Sequence, residues 1–446
     1  MENIDFDIAV CGGGPAGTCA AIAAARMGYK TILVERHGSL GGALTNMGVA
    51  PMMTFHAWGK QPIKGIADEI ISLLKAEGFS PGHISDTTGY VETVTPFNIE
   101  AMRYALERKT LEAGVTLLYH AQVDNIVKKD DKITAISVCH KGGRTSINAK
   151  VFIDATGDAD IAVLAGCPTV KGREKDGLTQ PMTKNILLGN VDREAIIEYM
   201  ANHPEDFRTL EGGRGMIEKA ERLSVCGFYS KLEEAKRNGD FTIQRETVLF
   251  FEMNEKGYVN VNTSRLIGYD MFDPFAMSRA EIEGRRQAFE IHRFLKKYIP
   301  GFKDCVILPA SDWMGIRESR RIKGEYIVTS DDLLKETRFE DAIAESGYPI
   351  DIHNPDGAGN IDIKLRKGAT YTVPYRSLIA KGVTNLLVCG RCLSATHEAA
   401  AALRVTPTAM ATGEAAGVAA ALASKSKDVD TMKVDVQVLK ENISLN

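Results

Sequence analysis

Residues 12–17 read GGGPAG, and their setting constrains the fold more than any other feature of the chain. They follow a short apolar run, DIAVC at 7–11, and precede an alanine-rich stretch that ends at Gly28. A second apolar run, at 31–34, ends in Glu35. The order predicts a strand, a glycine turn, a helix and a second strand with an acid at its tip. Each glycine has a physical reason. Gly12 permits the tight turn, Gly14 lets a pyrophosphate approach the backbone, and Gly17 lets the helix pack close to the strand. The helix N-terminus would face the phosphates with unpaired N–H groups and the positive end of its dipole. Pro15 and Ala16 lie at that turn, and Glu35 would accept hydrogen bonds from a ribose hydroxyl.

After Glu35 and Arg36 the chain reads HGSLGGALTNMGV, with a second glycine pair at Gly41 and Gly42. The run GGGPAG…ER…LGGALTNMG resembles the flavoproteins with two dinucleotide-binding domains. The resemblance implies FAD, with Gly41 and Gly42 along the flavin pyrophosphate and ribityl chain. It also implies that residues 121–123, Val123 among them, contact adenine. VFIDATGD at 151–158 resembles the ATG motif of the same class, which would place Ala155, Gly157 and Asp158 where the chain recrosses the cofactor. Gly390 and Arg391 form a late turn before an alanine-rich stretch at 399–422. In the class that this resembles, such a helix closes over the flavin, and its N-terminus stabilises negative charge on the reduced ring. Pro407 predicts that the closing helix begins near it, with 391–406 as loop.

Residues 63–78 and 97–114 look helical, and 115–150 look like short strands joined by tight turns. From about 168 to 371 the composition changes, and the stretch is too long for a loop. The expected fold is therefore α/β. A Rossmann-like FAD-binding domain, a parallel sheet with a β-meander, spans 1–167 and 372–446, and an inserted α+β substrate or cap domain spans 168–371. No second GxGxxG stands between a strand and a helix, because Gly212–Gly215 lacks the preceding strand. A dedicated NAD(P)H domain is therefore not expected.

Four later stretches sharpen the resemblance: GIRESRRIKGEY at 315–326, GYPIDIH at 347–353, TVPYRSLI at 372–379 and the run from Cys389 to Ala423. With the N-terminus, they resemble FAD-dependent oxidoreductases related to fumarate reductase and succinate dehydrogenase flavoproteins. The resemblance gives cofactor and fold with more authority than reaction. His37 does not fit the local pattern of the covalently flavinylated relatives, so noncovalent FAD is expected. The eight cysteines are scattered and lack iron–sulfur or zinc spacing, so no metal is expected.

Charge narrows the partners. Lys+Arg is 54 and Asp+Glu is 58, a balance that argues against nucleic acid or an anionic membrane surface as the main partner. The N-terminus lacks a signal-peptide pattern, and no run is apolar enough to span a bilayer. A cytoplasmic protein acting on a small molecule is expected, with a homo-oligomer left open. Its electrons would pass to or from a protein partner, a quinone, oxygen or a second substrate.

The candidates for catalysis are His397, Arg404, His353 and Tyr375. In fumarate-reductase relatives, a His and an Arg at similar positions before the final helix bind a substrate carboxylate, which points to His397 and Arg404. An arginine fork matches a carboxylate, and a histidine moves a proton near neutral pH. Alternatively, Arg404 binds an FAD phosphate and His397 is structural. In a strand, Asp351 and His353 would share a face. Arg317 and Arg321 would share a helical face, either to bind an anion or to pair with Glu318 and Glu325. Cys389 and Cys392 have the spacing of a redox pair, but that motif normally opens a helix, and this one ends a strand. The expected activity is hydride transfer between FAD and a carbon of a small polar metabolite, with an anionic one left open. The alternatives are a redox-neutral flavoprotein (isomerase or lyase) and a non-catalytic FAD subunit of a larger redox complex.

Overall fold

In the computed structural model, which describes residues 4–208 and 217–445, five short strands form a parallel sheet. They are β1 (Ile8–Cys11), β2 (Thr31–Val34), β3 (Thr116–Leu118), β4 (Val151–Asp154) and β5 (Leu386–Val388), in the order β5-β4-β1-β2-β3. β1, β2, β4 and β5 are buried at every position, which explains their unbroken apolar runs. The glycines at 212–215 lie outside the described residues.

Helix α1 (Pro15–Arg26) follows β1 directly, as the glycine turn predicts. A Cβ on Gly17 would lie 1.9 Å from the Gly12 carbonyl oxygen, so only glycine allows this helix to start where it does. The closing helix (Thr406–Lys425) packs across α1 at equally short range. A Cβ on Gly413 would meet the Ala16 carbonyl at 2.0 Å. The two helices and the sheet thereby share one core, which draws on residues 8–153 and again on 328–439. Strands Gln122–Lys129, Lys132–His140 and Gly143–Asn148 form the expected antiparallel meander.

A second core is built from residues 186–305. Its five-stranded sheet runs in the order Ser224–Gly227, Val248–Glu252, Val259–Val261, Ile186–Gly189, Val306–Leu308, with antiparallel pairing throughout. Helix Pro274–Tyr298 contributes Ile291, Phe294 and Leu295 to this core. Residues 328–352 of the expected insertion pack instead into the first core.

Two local expectations differ from the structure. Residues 391–406 are not all loop, because His397–Leu403 is a helix. The HEAAAAL sequence favours helix, and the Thr396 side chain caps it by accepting from the Ala399 N–H. The chain then breaks before Pro407, which has no N–H to continue that helix. Arg317 and Arg321 also share no helix, because Arg320–Ile322 is a strand paired with Thr169–Lys171.

Candidate functional site

A long cavity opens between the parallel sheet, the meander and the closing helix. One end is the glycine turn. Gly12, at φ +101°, lines it with Gly14, Pro15 and Ala16. A Cβ on Gly14 would have nothing within 4 Å, so this backbone faces open space, as contact with a pyrophosphate requires. The first turn of α1 has no side-chain cap, which leaves its N–H groups available to an anion. Gly17 does not line the cavity; it seats the helix.

Glu35, Arg36 and His37 form the next stretch of wall. Glu35 Oε2 accepts from the Gly13 N–H at 2.6 Å, and Oε1 accepts from the His37 N–H at 2.8 Å and lies 2.6 Å from His37 Nδ1. Burial works against the Glu35 charge, but His37 and the Gly13 amide outweigh it and hold the carboxyl below the usual range. Oε2, with one partner, keeps a lone pair for a further donor. Val123 lines the same wall with Ala121 and Gln122.

Further along, Gly42 comes within 3.1 Å of the Gly14 Cα when given a Cβ, so the second glycine pair packs against the first turn. Only Gly42 lines the cavity. Gly41 donates to the Gly13 carbonyl at 2.8 Å and supports the turn from behind. Ala155, Gly157, Gly390 and Arg391 line the cavity, but Asp158 does not. Its carboxylate accepts from Arg391 at 2.7 Å and from Ser319 at 2.8 Å, so Asp158 positions Arg391 instead of facing the cofactor.

The far end is the start of the closing helix. Arg404, Val405, Thr406 and Ala409 line it, and this helix N-terminus also lacks a side-chain cap. Here the cavity joins a second chamber, and Asn262, Tyr348, Asp351 and His353 line both. Asp351 and His353 share a face of strand Ile350–His353, with His353 Nε2 3.4 Å from the carboxylate. Arg404 reaches Asp351 at 3.9 Å and donates to the Gln180 side-chain carbonyl at 3.4 Å. The same Gln180 oxygen accepts from the His353 main-chain N–H at 3.3 Å. Among the described residues, His353 Nδ1 and Arg404 Nε here find no partner, nor does Gln180 Nε2 behind them. Burial and the Arg317 charge push His353 down to about 3, so the ring is neutral. Burial alone would raise Asp351, but the surrounding His353, Arg404 and Arg317 hold its carboxyl well below the usual range.

Two sequence candidates for catalysis lie elsewhere, and of the cysteine pair only Cys389 lines the cavity. Tyr375 is buried away from both chambers and donates to the Thr431 carbonyl at 2.7 Å, which makes it a tie between chain segments. His397 is buried against Glu318, with Nδ1 2.8 Å from the carboxylate that also pairs with Arg321. It lines neither chamber. Cys389 and Cys392 are free thiols, both buried, and burial pushes both up from the ordinary thiol range. Their spacing comes from the turn after β5, with Cys392 Sγ 3.7 Å from the Cys389 carbonyl.

Sequence reasoning undervalued Arg317. It enters the cavity, where it donates to the Pro181 carbonyl at 2.7 Å and to the Asn262 side chain at 3.2 Å. The GIRESRR run held the signal, but three arginines in five positions hide which one turns inward. Arg320 pairs with Asp160 and Arg321 with Glu318. Asn262 and Gln180 gave no signal at all.

The profile of one protein family, FAD dependent oxidoreductase, matches residues 7–443, and the chain belongs to that family. A thiamine thiazole synthase from Methanococcus aeolicus is 29% identical over 199 residues, which are 42% of this chain and 66% of that protein. Its counterpart from Sulfolobus acidocaldarius is 28% identical over 176 residues, 37% of this chain and 60% of that protein. Among solved structures, a geranylgeranyl bacteriochlorophyll reductase-like protein from Thermoplasma acidophilum aligns with a TM-score of 0.46 at 14% identity. That alignment covers 99% of this chain and 83% of that one. The p-nitrophenol 4-monooxygenase PnpA from Pseudomonas putida aligns with a TM-score of 0.45 at 12% identity, over 99% and 84% of the two chains. FAD is the cofactor of the family, and the open backbone at Gly14 with the uncapped α1 N-terminus fits it. Among the described residues, no helix is long and apolar enough to cross a membrane.

Proposed function

We propose that this FAD dependent oxidoreductase moves a hydride between noncovalent FAD and a carbon of a small oxyanionic metabolite held where the two chambers meet. One observation carries the reading. At the junction, Arg404 Nε is a buried donor without a partner and His353 Nδ1 a buried acceptor without one, and among the described residues Arg317 stands beside them with no carboxylate paired to it. Unpaired buried donors cost stability unless a ligand takes them, and an oxyanion suits an arginine fork.

FAD bound along the cradle supplies the hydride acceptor or donor. The residues of the chain do the rest. Gly12, Gly14 and the first turn of α1 hold the pyrophosphate, and Glu35 holds the ribose. Arg391 is fixed across the cavity by Asp158. The uncapped start of the closing helix offers partial positive charge to the ring. Arg404 and Arg317 orient the anionic group of the substrate. His353 begins neutral, with Nδ1 free to hydrogen-bond the reacting group. An oxyanion between Arg317 and Arg404 offsets the charge that depresses this imidazole, which raises its basicity once substrate is in place. Proton transfer is thereby coupled to binding.

The test is anaerobic addition of small oxyanionic metabolites to the purified yellow protein, in its oxidised and photoreduced forms. The reading expects stoichiometric bleaching or recovery of the flavin band by at least one member, slowed ~10–100-fold at limiting metabolite in Arg404→Lys. Turnover of a metabolite without any net change in flavin oxidation state contradicts it and establishes a redox-neutral reaction.

A further inference from the structure

Helix Pro274–Tyr298 is apolar on two opposite faces, and one core accounts for only one of them. Its inner face carries Ile291, Phe294 and Leu295 into the second core. Its outer face carries Phe275, Ile282 and Phe289, which are 75%, 67% and 56% exposed. The three are spaced seven residues apart, and a helix drifts only ~20° over that interval. They therefore form one projecting ridge along ~21 Å of helix. Large apolar side chains scattered singly over a surface need no explanation, but an aligned set of three does.

The charges beside the ridge are of one sign. Arg279, Arg285, Arg286, Arg293 and Lys296 all fall within about 60° of it at 3.6 residues per turn, and all are exposed. The three acids of the helix turn inward instead. Glu281 accepts from the Met314 N–H, Glu283 from the Gln287 side chain and Glu290 from Thr242. Glu283 and Glu290 hold Arg286, but Arg279 and Arg285 only approach an acid, at 3.8 Å each. Among the described residues, no carboxylate pairs with Arg293 or Lys296. Over the whole chain acids and bases balance, so this excess is local.

A second copy of the chain fits this face poorly. In an antiparallel pairing centred on Ile282, Arg285 would oppose Arg279 of the other copy. In a parallel pairing each arginine would oppose itself. Like charges set against each other across an interface repel. An anionic bilayer fits it well. A projecting ridge needs no matching groove there, because its side chains enter the acyl boundary. Arginine and lysine stems lie along the apolar surface while their heads stay at the lipid phosphates.

We infer that the outer face of helix Pro274–Tyr298 docks the protein on an anionic lipid surface, with Phe275, Ile282 and Phe289 in the acyl boundary and the flanking basic residues at the phosphates. The reaction proposed above is independent of this docking.

The test is co-sedimentation of the FAD-loaded protein with vesicles of phosphatidylcholine alone and of phosphatidylcholine with about one-third phosphatidylglycerol. Binding to the anionic vesicles should be tenfold or more tighter than to the neutral ones, and should fall as salt rises from ~0.1 to ~1 M. Replacing Arg279, Arg285 and Arg293 together by Gln should weaken it ~10–100-fold. Replacing Phe275, Ile282 and Phe289 together by Ser should weaken it at least as much. Both variants change exposed side chains only, so each should keep its FAD and its melting temperature. Equal binding to the two vesicle types, binding to neither, or full binding by the serine variant overturns the inference. So does a wild-type dimer in sedimentation velocity without lipid that the serine variant splits, which would make a second copy the occupant.

Discussion

The cofactor cradle and the substrate chamber share the wall at Asp351 and His353, yet they are made of different material. In the cradle, much of the surface is main chain: the turn at Gly12 and Gly14, the Gly42 loop, the Ala155–Gly157 crossing and two uncapped helix ends. Where the cavity meets the second chamber, the groups are side chains: Arg317 and Arg404 of the first cavity, with Asp351 and His353 shared by both. Arg317, His353 and Arg404 are tied to partners distant in sequence. Backbone sites are specified by glycine spacing over a few residues. Side-chain sites are specified only once the chain has folded.

The sharpest way to break this comparison is to add side chains to the cradle. Gly17→Val should abolish folded protein, because even the first added carbon falls 1.9 Å from a carbonyl oxygen. Gly14→Val meets open space, so the protein should fold with an unchanged apo melting temperature and hold no FAD. Thermal melts and flavin absorbance of the two variants check this. Parallel losses in both would mean that the two glycines do the same work.

In the chamber the expected effects are smaller and spare the cofactor. Arg404→Lys should lower kcat/KM by ~10–100-fold, the worth of a charge-assisted fork, with FAD retained. A variant that loses FAD would move Arg404 from the chamber to the cradle.

A pH effect belongs to the cradle side. Asp154 ends β4, fully buried, and burial raises its carboxyl to about 6 against the pull of the Ala162 and Thr156 hydrogen bonds. The unfolded carboxyl titrates near ~4, so between those values the native state holds the extra proton. The contribution is therefore full below about pH 4 and lost as pH rises towards 6, at a cost of up to ~3 kcal/mol. Urea denaturation of wild type and Asp154→Asn across that window should show the difference between them changing by this amount. A constant difference would mean that Asp154 is not titrating there.

The smallest effect concerns His397, which the sequence places at the flavin and the structure places against Glu318. His397→Gln should cost roughly 1–3 kcal/mol of stability from the disturbed buried pair, with turnover within a few-fold of wild type. A large loss of turnover at unchanged stability would return His397 to the reacting centre.

These cases show what the sequence could carry. The β1–turn–α1–β2 unit is legible because three glycines and an acid act within 24 residues of one another, from Gly12 to Glu35. The Asp351–His353 pair is legible because strand alternation puts i and i+2 on one face. Arg317 is not, because its inward turn depends on the Pro181 carbonyl and on Asn262, 136 and 55 residues away. His397 misled for a related reason. Its proximity along the chain to the closing helix says nothing about which way a side chain turns. Asp158 and Gly41 sit one step behind the surface that their motifs mark.

The central claim is that backbone holds the cofactor and side chains hold the substrate. Acid-released FAD per folded chain, measured together for wild type, Gly14→Val and Arg404→Lys, tests it most directly. The account predicts about one FAD in the wild type, none in Gly14→Val and about one in Arg404→Lys. FAD retained by Gly14→Val, or lost from Arg404→Lys, would contradict it.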